Sequence, residues 1–168
     1  RSIIILKFYL LSVLLAIIDQ VSKVWVKNNF ILGETYIIID PFLKFTFIKN
    51  PGMAFGISVG NMGVFISILS FFATLFICYY LWIEKNNHPL IPYGLSMILG
   101  GAIGNLIDRS TIFFTEHYEG VIDFINIGIG TKRWYIFNLA DSFVTIGIIL
   151  FLLHSYLINR TKIEDAFE

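Results

Sequence analysis

The chain is poor in charge. Only 14% of its 168 residues are Asp, Glu, Lys or Arg, while 57% are hydrophobic and the mean hydropathy is +0.77. Soluble globular domains carry roughly 25% charged residues, so this composition excludes an ordinary soluble domain. The formal net charge is zero, which leaves no basic excess to predict nucleic-acid binding. Length and composition together favour one compact membrane unit.

Cysteine and the common metal and nucleotide motifs are also scarce. The single cysteine, Cys78, lies in an apolar run and excludes an internal disulfide framework. No H-E-x-x-H sequence, cysteine pair or Walker loop is present, so metal and nucleotide chemistry have no support. We therefore expect no metal and no cofactor.

Long uncharged runs are abundant. Gly63 to Ile83 gives 21 residues without a charge, and Leu90 to Ile107 gives 18; a helix needs about 20 to cross a bilayer. The first apolar run resembles a signal peptide, but no A-x-A-like cleavage site follows it and the helical pattern continues through Asp19. We predict a single domain, residues 1–168, with four spans at about 4–28, 62–83, 90–108 and 137–158.

Two long connections remain, and four crossings place both of them on the same side of the membrane. Leu43 to Phe47 alternates apolar with polar residues, the period of a half-buried strand. Tyr36 to Ile39 predicts a second strand, with a turn at Asp40-Pro41. The expected fold is therefore mainly α, with a small β-sheet region at 31–58 and a second loop at 109–136 on the same side.

Orientation is not decided by charge. The side with both termini carries five Lys or Arg residues and the side with the long connections carries seven. The positive-inside rule therefore does not favour cytoplasmic termini. The small residues Gly100 and Gly104, in contrast, predict close helix packing in the third span.

Four acidic residues stand in apolar surroundings. All four fall at the same end of the predicted helices, near the side of the membrane that carries the long connections. A surface-facing cavity requires such clustering at one depth, whereas a proton-coupled transporter requires acids near mid-span. A purely structural scaffold would leave the cluster unexplained. The four residues are Asp19, Asp108, Asp123 and Asp141.

Each of these acids also has a structural interpretation. Asp19 and Lys23 are four residues apart, the spacing of an intrahelical ion pair. Asp108 is followed by Arg109, which offers it an ion-pair partner, and Asp123 could belong to a surface loop.

Asp141 heads a run, Ser142 to Ile158, that has no charged residue. It could cap the fourth helix, and Asn138, three residues earlier, could do the same. Residues three apart can share one face of a helix, so both side chains could face the same site. The alternative is carboxylate catalysis. Two neighbouring carboxyl groups can share one proton, so that one acts as acid while the other activates water to attack an amide.

Five motifs in chain order resemble lipoprotein signal peptidase, the bacterial signal peptidase II family of membrane aspartyl proteases. The resemblance covers about residues 4–158, and a presenilin-like G-x-G-D signature is absent. The motifs are Asp19-Gln20-x-x-Lys23, Asn50-Pro51-Gly52-Met53-Ala54-Phe55, Gly101-Ala102-Ile103-Gly104-Asn105-x-x-Asp108-Arg109, Val121-Ile122-Asp123-Phe124 and Phe137-Asn138-Leu139-Ala140-Asp141.

The resemblance implies removal of the signal peptide from diacylglyceryl-modified prolipoproteins, just before the lipidated cysteine. It implies a multi-pass protein of the bacterial cytoplasmic membrane with cytoplasmic termini, an outer-leaflet site and no cofactor. Expected partners are prolipoproteins, membrane lipids and cyclic-peptide inhibitors of the globomycin type, with no nucleic acid. Asp123 and Asp141 match the catalytic pair. Supporting positions match Asp19, Lys23, Asn50, Gly52, Asn105, Asp108, Arg109, Asn138 and Ala140.

One departure from the family pattern affects Asp123. Residues 110–119 form a longer insertion than the family usually has, which makes Asp108 a rival for the second catalytic carboxylate. We favour Asp123 because its Val-x-Asp-Phe match is intact and its spacing of 18 residues to Asp141 is ordinary for the family.

Overall fold

The computed structural model describes residues 2–51, 62–115 and 120–164. Gly52 and the rest of the predicted β region beyond Pro51 lie outside the described residues, as do 116–119 of the insertion. The elements are α1 (Ser2–Asn29), β1 (Thr35–Ile39), β2 (Leu43–Asn50), α2 (Met62–Glu84), α3 (Leu90–Ser110), a 3-10 turn (Thr111–Phe113), β3 (Val121–Ile129), β4 (Lys132–Arg133) and α4 (Leu139–Glu164).

Within this described part, four helices are long and apolar enough to cross a membrane. α3 is the central helix, because 56% of its most apolar stretch is buried, against 22%, 17% and 6% for α1, α2 and α4. The other helices turn exposed Ile, Leu and Phe side chains outward, as expected where lipid replaces water as the solvent. The spanning segments are Ile4–Asn29, Gly63–Glu84, Leu90–Phe113 and Leu139–Ile158.

Glycine brings α3 close to its neighbours, as predicted from Gly100 and Gly104. A Cβ added at Gly100 would lie 2.8 Å from the Cβ of Leu15 on α1. A Cβ added at Gly104 would lie 2.5 Å from the Oδ2 atom of Asp19. The missing side chain at Gly104 therefore makes room for a carboxylate between two helices.

The two long connections build a single sheet. Its four strands lie in the order β1-β2-β3-β4, and each pair is antiparallel. The predicted hairpin forms β1 and β2, but the connection expected to be a loop supplies β3 and β4. Val121–Ile129 pairs along β2, where Asn50 is opposite Val121. Because β2 would otherwise expose unpaired backbone groups on that edge, pairing with β3 satisfies them.

An aromatic and aliphatic cluster attaches the sheet to the helices. Val26 of α1, Phe47 of β2 and Phe124 of β3 are buried together. The rings of Phe45 and Phe124 meet edge to face, with centroids 5.5 Å apart. A small sheet needs such packing for its stability. The cluster holds β3 over the start of α4, so that Asp123 approaches Asp141.

Candidate active site

Predicted site residues from five elements, and from the residue just before the last of them, meet at the end of the bundle that carries the sheet, hereafter the sheet end. They arrive at this end from α1, β2, α3, β3, the residue before α4 and the first turn of α4. The residues brought together are Asp19, Lys23, Asn50, Asn105, Asp108, Asp123, Asn138, Ala140 and Asp141.

Asp141 is held by two donors at the N-terminus of α4. Its Oδ1 accepts a hydrogen bond from the Nδ2 of Asn105 at 2.8 Å, and its Oδ2 accepts from the backbone N–H of Asn138 at 3.2 Å. The backbone N–H of Asp141 donates in return to the Oδ1 of Asn138 at 3.0 Å. This reciprocal pair is a capping box, which satisfies two backbone donors that the helix leaves open. The capping interpretation of Asn138 and Asp141 is confirmed.

Asp123 is almost completely buried, with 3% of its surface exposed. Its Oδ2 accepts a hydrogen bond from the Nδ2 of Asn50 at 3.1 Å, and its Oδ1 accepts from the Nδ2 of Asn138 at 2.7 Å. Burial raises the pKa of Asp123 to about 6, and the negative charge of Asp141 adds to the rise, while the two amide donors lower the pKa. The loss of hydration therefore has a larger effect on the pKa than the hydrogen bonds have. This carboxyl group keeps its proton to a higher pH than an ordinary aspartate does. The alternative interpretation of Asp123 as a surface-loop carboxylate is wrong.

Asn138 joins the two carboxyl groups. Its side chain is fully buried. The Nδ2 atom donates to Asp123 and to the Oδ1 of Asn105 at 3.1 Å, and the Oδ1 atom accepts from the N–H of Asp141. Because an amide has distinct donor and acceptor ends, these partners leave one orientation of the side chain.

A buried ion network lies behind the two carboxyl groups. The Nζ atom of Lys23 is 2.7 Å from the Oδ2 of Asp19 and 2.8 Å from the Oδ2 of Asp108, and it donates to the Oδ1 of Asn105 at 2.9 Å. An ammonium group has three donors, so each proton has an acceptor. The Oδ1 of Asp19 also accepts from the backbone N–H of Ala140 at 2.9 Å. The predicted Asp19–Lys23 ion pair is confirmed as part of a larger network.

Asp108 finds a different partner from the expected one. It pairs with Lys23 rather than Arg109, and its Oδ1 accepts from the Nε2 of Gln20 at 3.1 Å. The Nε atom of Arg109 is buried and has no hydrogen-bond partner among the described residues, while its carbonyl oxygen accepts from the hydroxyl of Ser67 at 3.3 Å. Asp108 pairs with Lys23 because α1 and α3 pack side by side at this depth, a contact that sequence adjacency does not reveal.

Gln20 lies among the candidate site residues, although no role was predicted for it from the sequence. Its Nε2 atom also donates to the carbonyl oxygen of Gly104 at 2.9 Å, which links α1 to α3. The signal was its place beside Asp19 on the face of α1 that carries Lys23. A glutamine inside an apolar helix needs polar partners, and here it finds them on the neighbouring helix.

A cavity of about 1280 Å³ opens beside the two carboxyl groups. Asp123 and Asp141 line it together with other polar residues that include Asn50, Asn126 and Arg133, and the segment 134–137 forms a largely apolar wall. Within the described residues, no group of three or more His, Cys, Asp or Glu side chains could hold a metal ion. Such a cavity can take a ligand with apolar groups, and its two carboxyl groups are able to donate and to accept a proton.

Helices of spanning length and two carboxyl groups joined at the edge of an apolar cavity define a class, the multi-span membrane aspartic peptidases. A protein-family model described as "Signal peptidase (SPase) II" matches residues 11–157. The chain belongs to this signal peptidase II family and is a bacterial membrane protein.

Known relatives and a solved structure are similar to this chain over most of its length. The lipoprotein signal peptidase of Clostridium tetani is 37% identical over 157 residues, which cover 93% of this chain and 95% of that protein. That of Bartonella henselae is 37% identical, with 95% and 94% covered. A structure described as a bacterial membrane enzyme, obtained by the in meso method at 2.3 Å, has a TM-score of 0.71 at 31% identity and covers 92% of this chain and 89% of its own.

Proposed function

We propose that this protein removes the signal peptide from diacylglyceryl-modified prolipoproteins by cutting just before the lipidated cysteine. The single observation that carries the proposal is the connection of Asp123 and Asp141 through Asn138 at the edge of the apolar cavity. The relatives bear the name lipoprotein signal peptidase, which supports this choice of substrate.

In this proposal Asp123 and Asp141 form a catalytic pair that shares one proton. The ionised carboxylate takes a proton from water while the water oxygen attacks the carbonyl carbon of the scissile amide. The protonated member donates its proton to the carbonyl oxygen. Collapse of the tetrahedral intermediate then breaks the C–N bond. The proton taken from water passes to the leaving nitrogen, and a hydroxyl proton of the intermediate returns to the carboxylate that acted as the acid, so the pair again holds one proton.

The surroundings favour Asp123 as the acid and Asp141 as the base at the start of the reaction. Burial keeps the proton of Asp123 in place up to about pH 6. Asp141 lies in the first turn of α4, where the helix dipole favours a negative charge, and it accepts two hydrogen bonds. Asn105 and Asn138 would then act by orienting the base.

Two contacts support Asp123 over Asp108 as the second carboxylate. Asp108 is occupied by Lys23 and Gln20. It also lines a separate cavity of about 250 Å³, whereas Asp123 and Asp141 line the large one. We therefore propose that Asp19, Lys23 and Asp108 hold the helices together, that Asn50 orients Asp123, and that Ala140 takes part through its backbone. A role for Gly52 stays a prediction.

The remaining parts of the proposal concern the membrane and the ligands. We propose that both termini are cytoplasmic and that the sheet end lies at the outer face of the cytoplasmic membrane, as the family resemblance implies. The largely apolar wall suits the lipid and apolar peptide parts of a prolipoprotein. Cyclic peptides of the globomycin type and membrane lipids are further proposed ligands.

A gel-shift assay with purified protein tests the function. Wild type should shorten a diacylglyceryl-modified prolipoprotein and leave the unlipidated form intact. Asp123→Asn and Asp141→Asn should each lower the rate by at least about 10³-fold, because either change removes one half of the acid–base pair.

Asp40→Asn is the matched control, since Asp40 is exposed on the turn between β1 and β2 and should leave the rate unchanged. Asp108→Asn separates the two assignments. If a folded Asp108→Asn protein is inactive while Asp123→Asn cleaves normally, Asp123 is not the second catalytic carboxylate. Cleavage of neither substrate by wild type would remove the peptidase proposal itself.

A further inference from the structure

Arg133 stands at the far end of the cavity wall from the two aspartates. It lies on β4, opposite Gly128 of β3, and it lines the large cavity. A Cβ added at Gly128 would be 2.5 Å from the Cα of Arg133, so glycine allows this close pairing. The wall segment 134–137 follows Arg133 directly and leads to Asn138.

The guanidinium of Arg133 joins two separate parts of the sheet. On β3, its Nε donates to the Oδ1 of Asn126 at 2.6 Å and an Nη2 proton donates to the carbonyl oxygen of the same residue at 2.7 Å. On the β1–β2 turn, Nη1 donates to the carbonyl oxygen of Pro41 at 3.1 Å and Nη2 to that of Phe42 at 3.3 Å. One side chain therefore fastens the turn, β3 and β4 together.

These contacts depend on shape rather than on charge pairing. All four acceptors are neutral amide or carbonyl oxygens, and the described residues include no ion-pair partner for Arg133. A guanidinium presents its donors in a rigid planar fork, whereas a lysine ammonium has three donors at one point. Asn126 extends the connection, because its Nδ2 donates to the hydroxyl of Thr46 on β2 at 3.0 Å.

The wall is attached differently at its two ends. Near the aspartates, the backbone N–H of Phe137 donates to the carbonyl of Ile125 at 3.0 Å, and the N–H of Ile125 donates to the carbonyl of Phe137 at 2.7 Å. At the far end, the N–H of Trp134 donates to the carbonyl of Ile127 at 2.8 Å. Beyond that bond, β4 is held by its short pairing with β3 and by the side-chain contacts of Arg133. Loss of Arg133 would loosen the far end and leave the end near the aspartates attached.

The far end also presents an aromatic pair. Trp134 and Tyr135 are 62% and 63% exposed, and their ring centroids lie 5.0 Å apart. Both residues line the cavity. Large exposed rings provide contact area for apolar groups at little cost in side-chain entropy. They suit the apolar part of a substrate whose scissile amide lies at the aspartates.

We propose that Arg133 is a positioning residue for substrate binding, which acts by holding the wall segment 134–137, with its Trp134–Tyr135 pair, against the cavity. The proposal rests on the proposed peptidase function. A residue that shapes the binding wall but touches no reacting atom should change KM more than kcat.

The test measures kcat and KM on a fluorogenic diacylglyceryl prolipoprotein peptide, with the full chain in lipid nanodiscs. Arg133→Ala should raise KM about tenfold and keep kcat within about twofold, and Arg133→Lys should fall between wild type and Arg133→Ala. Lys132→Ala is the matched control, because Lys132 is the exposed neighbour on β4 and should leave both constants unchanged.

A double-mutant cycle distinguishes this role from general stabilisation. In a Trp134→Ala/Tyr135→Ala background, Arg133→Ala should raise KM by less than about twofold, because the groups it positions are gone. If Arg133→Ala does not fold, Arg133→Lys and Asn126→Ala replace it, and each should raise KM with kcat kept.

The outcomes separate the two proposals. Three outcomes would overturn the positioning role. They are an unchanged KM in the Arg133 and Asn126 variants, a fall in kcat as large as the rise in KM, and a full tenfold rise in KM in the Trp134→Ala/Tyr135→Ala background. Absence of cleavage by wild type would instead overturn the proposed function.

Discussion

At the scale of single residues, Asn138 explains how Asp141 can cap a helix and also belong to the candidate site. The capping box fixes Asp141 at the first turn of α4 through two hydrogen bonds from backbone N–H groups to side-chain oxygens. The remaining donor, the Nδ2 of Asn138, is thereby turned toward Asp123. The cap and the carboxyl pair are one hydrogen-bonded structure, because a capping box fixes the side chains as well as the helix end.

The raised pKa of Asp123 predicts a specific pH dependence of stability. Its pKa rises from 3.8 to about 6 on folding, so between these values the native state binds more protons than the unfolded state. The free energy of unfolding therefore falls as the pH rises through this window. About two pKa units correspond to roughly 3 kcal/mol, an upper figure for the loss. Thermal unfolding of wild type and Asp123→Asn in detergent, from pH 4 to pH 7, measures it.

Asp123→Asn should gain stability relative to wild type as the pH rises, since it has no proton to lose. Asp40→Asn, on the exposed turn, should follow the wild-type curve. Identical pH dependence in wild type and Asp123→Asn would contradict the assignment of a raised pKa to this residue.

At the scale of elements, α3 decides where the polar groups meet. It is the most buried helix, and its face toward α1 and α4 consists of glycine, asparagine and aspartate at the sheet end. Glycine permits the close approach, and Asn105 and Asp108 then contact Lys23 without an intervening gap. Small residues allow such packing in lipid, where apolar burial gives little drive for association.

Gly104→Ala tests this close approach. The added methyl group would lie 2.5 Å from the Oδ2 of Asp19, so α1 and α3 must separate or Asp19 must leave Lys23. Overpacking of this kind costs typically 1–3 kcal/mol. We expect a melting temperature lower by several degrees and a reduced cleavage rate. Ile107→Ala, at an exposed position on the same helix, should change both far less; equal effects would exclude the close contact as the cause.

At the scale of the whole molecule, one buried lysine connects three helices. Lys23 of α1 binds Asp108 and Asn105 of α3, and its partner Asp19 accepts from the first turn of α4 through Ala140. Asn105 continues the path to Asp141. The position of Asp141 therefore depends, through this network, on how the helices of the bundle pack.

Lys23→Met should be strongly destabilising, by about 3–5 kcal/mol, because it leaves two buried carboxylates without a counter-charge. The triple variant Lys23→Met/Asp19→Asn/Asp108→Asn should lose less, since the uncompensated charges are removed with the lysine. Lys27→Met, one turn later on α1 and exposed, is the matched control. Unfolding in detergent measures all three, and a triple variant less stable than Lys23→Met would contradict the account.

The sequence alone supports the four-helix membrane class, the β1–β2 hairpin, the Asp19–Lys23 pair and the family. These features have local signatures, because uncharged run length, period-two alternation and i, i+4 spacing are written in neighbouring residues. The family rests on motifs whose order is also visible in the chain. The catalytic assignment of Asp123 and Asp141 stays a prediction until the variants are measured.

Tertiary structure decides what depends on distant partners. β3 and β4 form where a loop was expected, because β2 offers a strand edge that no local pattern in residues 109–136 reveals. Asp108 pairs with Lys23 rather than Arg109, since helix packing brings residues 85 positions apart into contact. The raised pKa of Asp123 likewise follows from the burial of its side chain in the folded chain. Spacing along the chain sets the local elements, whereas charge partners and desolvation arise only when those elements pack.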